Sequence, residues 1–260
     1  MKVFGGFIAA IRTLTIIGLP GDESKELSDS LSWFPIVGLG LGLVIYVIGL
    51  LWGLFPFEQW TGCAALLMVV AEVWLTRGLH LDGLADWADS IGGFPDREKR
   101  LAVMKDVSLG TFGVLALIMA VLAKWLAFER LLYSRSGIWL LLIFALSRGA
   151  MVDLITSLPY ARIGEGMGRP FVEGASLKHR FTSLFLCLLF SIPFGPLGLA
   201  LFGLAWLMTW VFGTRCRRNF GGITGDLLGT ANEMVEVSLL MICALPGKNV
   251  LYYTGWKWIF

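Results

Sequence analysis

Three carboxylates lie within eight residues of this chain, in the segment GLHLDGLADWADS at residues 78–90. On a helix, which turns by about 100° per residue, Asp82, Asp86 and Asp89 project from one face. Their like charges repel one another at this spacing, and a bound cation relieves that repulsion. Because oxygen ligands suit Mg²⁺, the spacing predicts a Mg²⁺ site, with Mn²⁺ as the alternative metal. A solvated acidic face is the competing interpretation.

A second polar segment, residues 221–236, leads into the last apolar run. Beginning at Asp226, this segment has the pattern D-x-x-x-T-x-x-E. Beginning at Asp82, the first segment has the pattern D-x-x-x-D-x-x-D, with polar residues at the same spacing. Asp226 and Glu233 are therefore expected to complete the metal site from a second helix. A helix N-cap is the simpler explanation of Asp226. Carboxylates inside an apolar helix need partners. Further polar candidates for the site are Thr224, Thr230, Asn232 and Glu236.

Basic and titratable side chains between these segments predict phosphoryl chemistry, in which cations and a metal neutralise phosphate oxygens. The phosphate-binding candidates are Arg148, Arg162, Arg169 and Arg217. The catalytic candidates are Asp82, His80, Lys105 and Asp106. Of these, Asp106 and His80 are the alternatives for the proton acceptor. Arg148 lies inside an apolar run and needs an acidic helix, Asp153 or a bound anion as its partner.

The composition sets the class of protein that must position these groups. Of the 260 residues, 57% are hydrophobic and 15% are charged, whereas soluble domains carry about 25% charged residues. The sequence therefore predicts an all-α, polytopic integral membrane protein with a single membrane-embedded catalytic domain over residues 1–260. A nucleic-acid partner is not expected.

Apolar runs near the spanning length of about 20 residues predict seven transmembrane helices. They are expected at residues 35–55, 60–76, 112–133, 137–158, 181–194, 196–213 and 226–246. One span plus a re-entrant piece is the alternative for 181–213, because Pro193 and Pro196 leave a very tight connection. In the first span, Gly38 and Gly42 predict close helix packing rather than a nucleotide-binding loop.

The charges predict an orientation. Fifteen of the 21 lysines and arginines fall in residues 1–32, 77–111, 159–180 and 214–225. The positive-inside rule makes this side cytoplasmic, so the last three segments are expected to be active-site loops facing the cytoplasm of a bacterial inner membrane. Residues 1–32 are too interrupted to span and predict an interfacial helix. A secretory signal peptide is disfavoured, because no small-residue cleavage site follows a clean apolar run.

Four segments resemble the signature segments of the cobalamin synthase family, also called adenosylcobinamide-GDP ribazoletransferases. They are GLHLDGLADWADS, MKDVSLGTFG, YARIGEGMG and GGITGDLLGTANEMVE, in the family's order. The resemblance covers nearly the whole chain, and HLDGLADWAD is its most specific part. Trp87 replaces an expected small or hydroxyl residue and leaves the acidic positions intact.

The resemblance implies a Mg²⁺-dependent integral membrane enzyme that joins α-ribazole or its 5′-phosphate to adenosylcobinamide-GDP. The reaction releases GMP, late in coenzyme B12 assembly. Besides the lipid bilayer, glycine-rich helix faces permit association with a second copy or with other cobalamin-assembly enzymes.

Two rival classes also combine carboxylates with divalent cations. Prenyltransferases and CDP-alcohol phosphotransferases use Asp-rich helices, but the order of the motifs argues against both. The motif of the CDP-alcohol phosphotransferases resembles D-G-x-x-A-R, and the segment that begins at Asp82 lacks its arginine. A divalent-cation transporter needs carboxylates near the bilayer midplane, whereas most carboxylates here lie at one face beside basic loops.

Overall fold

The computed structural model describes residues 2–55, 60–93, 96–164 and 166–256. Regular structure within these residues is helical, apart from one isolated bridge between Tyr160 and Ile223. The helices are α1 (Lys2–Leu14), α2 (Phe34–Trp52), α3 (Thr61–Leu75), α4 (Leu79–Ile91), α5 (Arg97–Val103), α6 (Thr111–Tyr133), α7 (Trp139–Ser157), α8 (Arg169–Glu173), α9 (Leu177–Ser191), α10 (Gly195–Phe220), α11 (Gly225–Ala244) and α12 (Asn249–Tyr252). The all-α fold class is confirmed.

Several helices are long and apolar enough to cross a membrane. The five such stretches among the described residues are Leu27–Trp52, Thr111–Tyr133, Trp139–Ser157, Leu177–Phe220 and Gly225–Ala244. A sixth is added if α3 and α4, bent by 87° at their junction, count as one broken span. The chain is therefore a polytopic membrane protein, as predicted.

The stretch Leu177–Phe220 contains two helices that run in opposite directions. Arg180 near the beginning of α9 and Arg217 near the end of α10 line the same cavity. The chain reverses between them at a 3₁₀ turn, Ile192–Phe194, followed by Gly195 with φ +72°. The two helices predicted on either side of the proline pair are therefore distinct. By length and composition, the described residues hold five candidate spans, or six with the bent pair, against the seven predicted.

Helix α7 lies at the centre of the bundle, and nearly all its side chains are buried. Helix α2 packs along it at very short range. A Cβ atom at Gly38 or Gly42 would collide with the backbone carbonyl group of Phe144 or Leu140. The predicted close-packing role of these two glycines is thus confirmed.

Helix α4 turns sharply away from α3. Arg77 and Gly78 adopt left-handed conformations, with φ +56° and φ +63°, and this pair ends one helix and redirects the next. At 13 residues, α4 is about 20 Å long and cannot cross a hydrocarbon core of about 30 Å. The predicted loop at residues 77–111 therefore contains two short helices, α4 and α5, and α4 carries the three aspartates.

Helix α1 is also too short to span, since it has 13 residues. Its Ala9, Ala10 and Leu14 are buried, and the Arg12 guanidinium group donates to the carbonyl oxygen of Leu19 at 2.6 Å. A short apolar helix held in this way suits the interfacial position predicted for the first 32 residues.

Candidate active site

The first element of the site is the close contact between α4 and α11. A Cβ atom at Gly83 would lie 2.5 Å from the carbonyl oxygen of Asp226, and one at Gly229 would lie 3.1 Å from the Cα atom of His80. The Thr230 hydroxyl group donates to the carbonyl oxygen of Gly83 at 2.9 Å, which fixes the register of the two helices. The missing side chains of two glycines therefore allow the acidic helix to lie beside the beginning of α11.

This contact places Asp82, Asp86 and Asp226 in one electrostatic group, which we call the aspartate group. Asp82 is exposed and Asp86 is half-buried. Burial, and then the carboxylates of Asp226 and Asp82, raise the pKa of Asp86 to about 7, against the lowering effect of Arg162. Carboxylates that crowd one another in this way form a fitting site for a divalent cation with oxygen ligands.

Arg162 is the cation that completes the aspartate group. Its Nη2 atom lies 2.6 Å from the Oδ2 atom of Asp226 and donates to the carbonyl oxygen of Met104 at 3.1 Å. Its Nε atom has no hydrogen-bond partner among the described residues. A guanidinium group with a remaining donor beside carboxylates is suited to binding a phosphate oxygen.

Backbone pairing holds Arg162 in this position. The amide of Ile223 donates to the carbonyl oxygen of Pro159, and the amide of Ala161 donates to the carbonyl oxygen of Ile223, both at 2.9 Å. Thr224 then begins α11 as its N-cap, because its hydroxyl oxygen accepts the amide of Leu227 at 3.2 Å. The N-cap role considered for Asp226 thus belongs to Thr224.

The carboxylate of Asp89 contacts the beginning of α6. Its two carboxylate oxygens accept the amides of Gly110 and Gly113, each at 2.8 Å, at the N-terminus of α6. A carboxylate in this position satisfies free amides and complements the helix dipole. The side chain of Asp89 therefore attaches α4 to α6, and its role as a metal ligand stays a prediction.

A second cluster lies inside the helix bundle, and we call it the interior cluster. The ammonium group of Lys124 contacts Glu72, lies 2.8 Å from Glu233 and lies 2.7 Å from Glu236. Arg148 also pairs with Glu236. All five side chains are at most 4% exposed, so these charges compensate one another away from water.

The interior cluster gives three predicted site residues contacts away from the aspartate group. Glu233 follows Asp226 by about two helical turns, or roughly 10 Å, and its partner is Lys124 rather than the aspartate group. Glu236 holds Lys124 and Arg148. Arg148 therefore neutralises an acidic helix, one of the partners considered for it, and is fully buried instead of lining a phosphate site.

The carboxylates of the interior cluster are close enough to suit a metal. One oxygen atom from each of Glu72, Glu233 and Glu236 lies within 4.8 Å of the others. The Lys124 ammonium group contacts all three carboxylates. It provides positive charge at the point where a metal would lie, so the carboxylates are held together as an ion-pair cluster.

Sequence reasoning did not assign Glu72 or Lys124 to any cluster. Glu72 is the lone charged residue of α3, and Lys124 lies in the middle of the apolar helix α6, whose other charged residues, Glu129 and Arg130, are near its end. Charged residues inside spans are rare and are usually paired across helices. This rule, applied to both helices, would have predicted that Glu72 and Lys124 pair with charged residues of other helices.

Neither predicted proton acceptor is well placed. His80 is buried, its Nδ1 atom lies 3.2 Å from the side-chain nitrogen of Asn232, and its pKa is lowered to about 3 by burial and then by Arg148. Asp106 is exposed, and hydrogen bonding from Ser108 lowers its pKa, which weakens it as a base. Asn232, predicted as a site residue, thus lies with His80 in the interior.

The remaining cationic candidates have other contacts. Arg169 binds Glu173 at 2.6 Å within α8, and Arg217 donates to the carbonyl oxygen of Ser157 at 3.3 Å. Both contacts lie outside the aspartate group, although Gly168, next to Arg169, packs against Gly225 beside Asp226. Lys105 lines a cavity of about 970 Å³ whose wall also includes Arg162.

Comparison with known proteins gives a family. The profile of the family described as cobalamin-5-phosphate synthase matches residues 6–244. A protein of Chlorobium chlorochromatii (strain CaD3) is 40% identical over 255 residues, which cover 96% of this chain and 100% of the relative. One from Syntrophobacter fumaroxidans (strain DSM 10017 / MPOB) is 41% identical over 249 residues, or 92% of this chain and 97% of the relative. Both relatives are named adenosylcobinamide-GDP ribazoletransferase. No solved structure matches the chain.

Proposed function

The chain belongs to the cobalamin-5-phosphate synthase family, a family of transferases in cobalamin biosynthesis, and we propose that it joins α-ribazole or its 5′-phosphate to adenosylcobinamide-GDP at the aspartate group. The observation that carries this proposal is the position of Arg162. It pairs with Asp226 at 2.6 Å and also lines the large cavity. An arginine shared in this way supports a phosphate site where α4 and α11 meet.

The proposed reaction replaces the phosphoanhydride bond of the diphosphate by a phosphodiester bond. A hydroxyl oxygen of the ribazole attacks the phosphorus atom attached to cobinamide, and a new P–O bond forms. The bond from that phosphorus to the bridging oxygen breaks, and the oxygen leaves as part of GMP. The products are adenosylcobalamin, or its 5′-phosphate, and GMP.

Mg²⁺, or Mn²⁺ in its place, would be held by Asp82, Asp86 and Asp226, and when bound it supplies positive charge to the diphosphate oxygens. Arg162 binds a phosphate oxygen through the donor that faces no protein partner. The hydroxyl proton passes to a carboxylate of the aspartate group, of which Asp82 is the exposed member. His80 and Asp106 have no part in this step.

We further propose that the site faces the cytoplasm of the bacterial inner membrane. The aspartate group and the large cavity lie among the segments that carry most of the lysines and arginines. The positive-inside rule places such segments in the cytoplasm. Adenosylcobinamide-GDP, a charged nucleotide derivative, then reaches the site from water.

Cation transport, the non-enzymatic alternative, relied on carboxylates in the membrane interior. Glu72, Glu233 and Glu236 do lie there, but Lys124 contacts all three. A fixed ammonium group opposes the passage of a divalent cation along these carboxylates. This contact favours the transferase proposal.

The direct test uses the full-length protein purified in detergent with adenosylcobinamide-GDP, α-ribazole and Mg²⁺. GMP and adenosylcobalamin are expected in equal amounts, and EDTA should stop both. Release of GMP without adenosylcobalamin, or no reaction by well-folded protein with either ribazole form, would contradict the proposal.

A further inference from the structure

We propose that the large cavity beside α5 binds the guanosine nucleotide end of the donor and holds GMP as it leaves. This inference rests on the proposed function for the identity of the nucleotide. We call the space the α5 cavity. It adds residues of α5 and the end of α10 to the substrate site, and none of them was assigned a role by the sequence.

The shape of the α5 cavity suits a nucleotide. Its volume is about 970 Å³, at the upper end of the range of about 300–1,000 Å³ for small-molecule sites. Its wall consists of residues from α5, residues 161–163 and the end of α10. Arg97 joins these parts, because it donates to the carbonyl oxygen of Ala161 at 2.9 Å and lies against Gly221.

The charge of the lining suits phosphate groups. Two carboxylates, Asp96 and Glu98, share the wall with six cationic side chains, and Asp96 pairs with Lys99 at 3.3 Å. The six are Arg97, Lys99, Arg100, Lys105, Arg162 and Arg218. An open cleft with this excess of positive charge concentrates anions, and arginine forks bind phosphate oxygens in pairs.

The basic collar of a membrane protein does not by itself explain this arrangement. Arg215 and Arg218 are both exposed in the last turns of α10. The positive-inside rule accounts for their being on this side of the membrane, but not for their positions relative to a cavity. Arg218 lines the α5 cavity, whereas Arg215 is absent from its wall. The concentration of cations in one concave site is therefore a property of the fold.

The α5 cavity is continuous with the aspartate group through Arg162. Its guanidinium group lies 2.6 Å from Asp226, and Arg162 is also one of the residues of the cavity wall. A diphosphate at Arg162 can then place the phosphorus attached to cobinamide beside the aspartates. The second phosphate and the guanosine extend into the cavity, where cations stabilise the charge that develops on departing GMP.

The test measures binding of N-methylanthraniloyl-GDP to the full-length protein in detergent, by fluorescence, without the corrinoid or ribazole. We expect Arg218→Gln and Lys99→Gln each to raise the Kd about tenfold, since each removes a charged donor. Arg215→Gln is the matched control, because it removes the same charge from the same helix outside the cavity. Its Kd should stay within about twofold of wild type.

Two results would overturn the inference: wild-type affinity in both cavity variants, or an equal loss of affinity in Arg215→Gln. Gel filtration of each variant verifies that it is folded.

Assays of cobalamin formation separate this inference from the proposed function. If the cavity variants weaken binding of the GDP analogue but the protein forms no cobalamin, the nucleotide role of the α5 cavity is supported and the proposed reaction is contradicted. If the protein forms cobalamin but Arg218→Gln leaves the Kd for the GDP analogue unchanged, the nucleotide role of the α5 cavity is contradicted and the proposed reaction is not.

Discussion

Arg162 and Asp226, 64 residues apart in sequence, form an ion pair with a separation of 2.6 Å between Nη2 and Oδ2. The pair joins the loop after α7 to the first turn of α11, and α4 packs beside it. It therefore connects the aspartate group to the α5 cavity. The account of the active site depends on this relationship.

The first prediction concerns the shape of the Arg162 side chain. Arg162→Lys keeps the charge but loses the planar fork, and we expect the rate of GMP release to fall about tenfold. Arg162→Gln also loses the charge and should lower the rate by about 100-fold. Arg215→Gln is the control, because Arg215 is exposed at the end of α10 and does not line the large cavity, and it should change the rate less than about twofold. Equal losses in Arg162→Gln and Arg215→Gln would refute the assignment.

The second prediction concerns the close contact of α4 and α11. A methyl group at Gly83 would meet the backbone of Asp226, so Gly83→Ala should push the helices apart and lower both the apparent Mg²⁺ affinity and the melting temperature. Gly40→Ala is the matched control, since a Cβ atom there meets nothing within 4 Å. It should leave both unchanged or stabilise the helix slightly. Thermal unfolding in detergent and Mg²⁺ titration of turnover measure the difference. If Gly83→Ala leaves both the apparent Mg²⁺ affinity and the melting temperature unchanged, the site does not depend on the close contact of α4 and α11.

The third prediction concerns Lys124. Lys124→Met leaves three buried carboxylates without their common cation, and the loss of one partner of a buried ion pair destabilises by about 3–5 kcal/mol. We expect little folded protein from this variant, and partial recovery when Glu72→Gln is added. Lys178→Met, at an exposed lysine, is the control in the same thermal assay. If EDTA destabilises Asp82→Asn, whose aspartate group is impaired, as much as Lys124→Met destabilises the protein, the interior cluster holds a metal instead.

The fourth prediction separates Asp89 from Asp86. Asp89→Asn retains one acceptor for the amides of α6 and should cost about 1 kcal/mol of stability, with Mg²⁺ affinity changed less than about threefold. Asp86→Asn should leave stability nearly intact and lower turnover by about 100-fold. Mg²⁺ activation curves and melting temperatures for both variants provide the test. A loss of Mg²⁺ affinity in Asp89→Asn equal to that in Asp86→Asn would restore Asp89 as a ligand.

Much of the fold follows from local sequence. Each apolar run of spanning length became a helix, because the bilayer allows few other structures for an apolar backbone. The packing of Gly38 and Gly42 against α7 was also predictable, since only glycine allows such close approach. The direction of α4 was not, because it depends on two left-handed residues, Arg77 and Gly78, which the apolar pattern does not reveal.

The candidate site was only partly predictable. Helical spacing correctly identified Asp82 and Asp86 as neighbours, and the repeated pattern pointed to Asp226. The same spacing grouped Asp89 and Glu233 with them, because spacing shows which residues share a face of one helix and not what that face contacts. Their true partners, the amides of α6 and Lys124, lie on other helices.

The most direct measurement of the central claim is Mg²⁺-dependent GMP release by Asp82→Asn, beside Asp22→Asn as a control at an exposed aspartate near the N-terminus. We predict a loss of at least about 100-fold in Asp82→Asn with its gel-filtration profile unchanged, and wild-type turnover in Asp22→Asn. If Asp82→Asn releases GMP at the wild-type rate with the wild-type Mg²⁺ dependence, the aspartate group is not the metal site and the account is wrong.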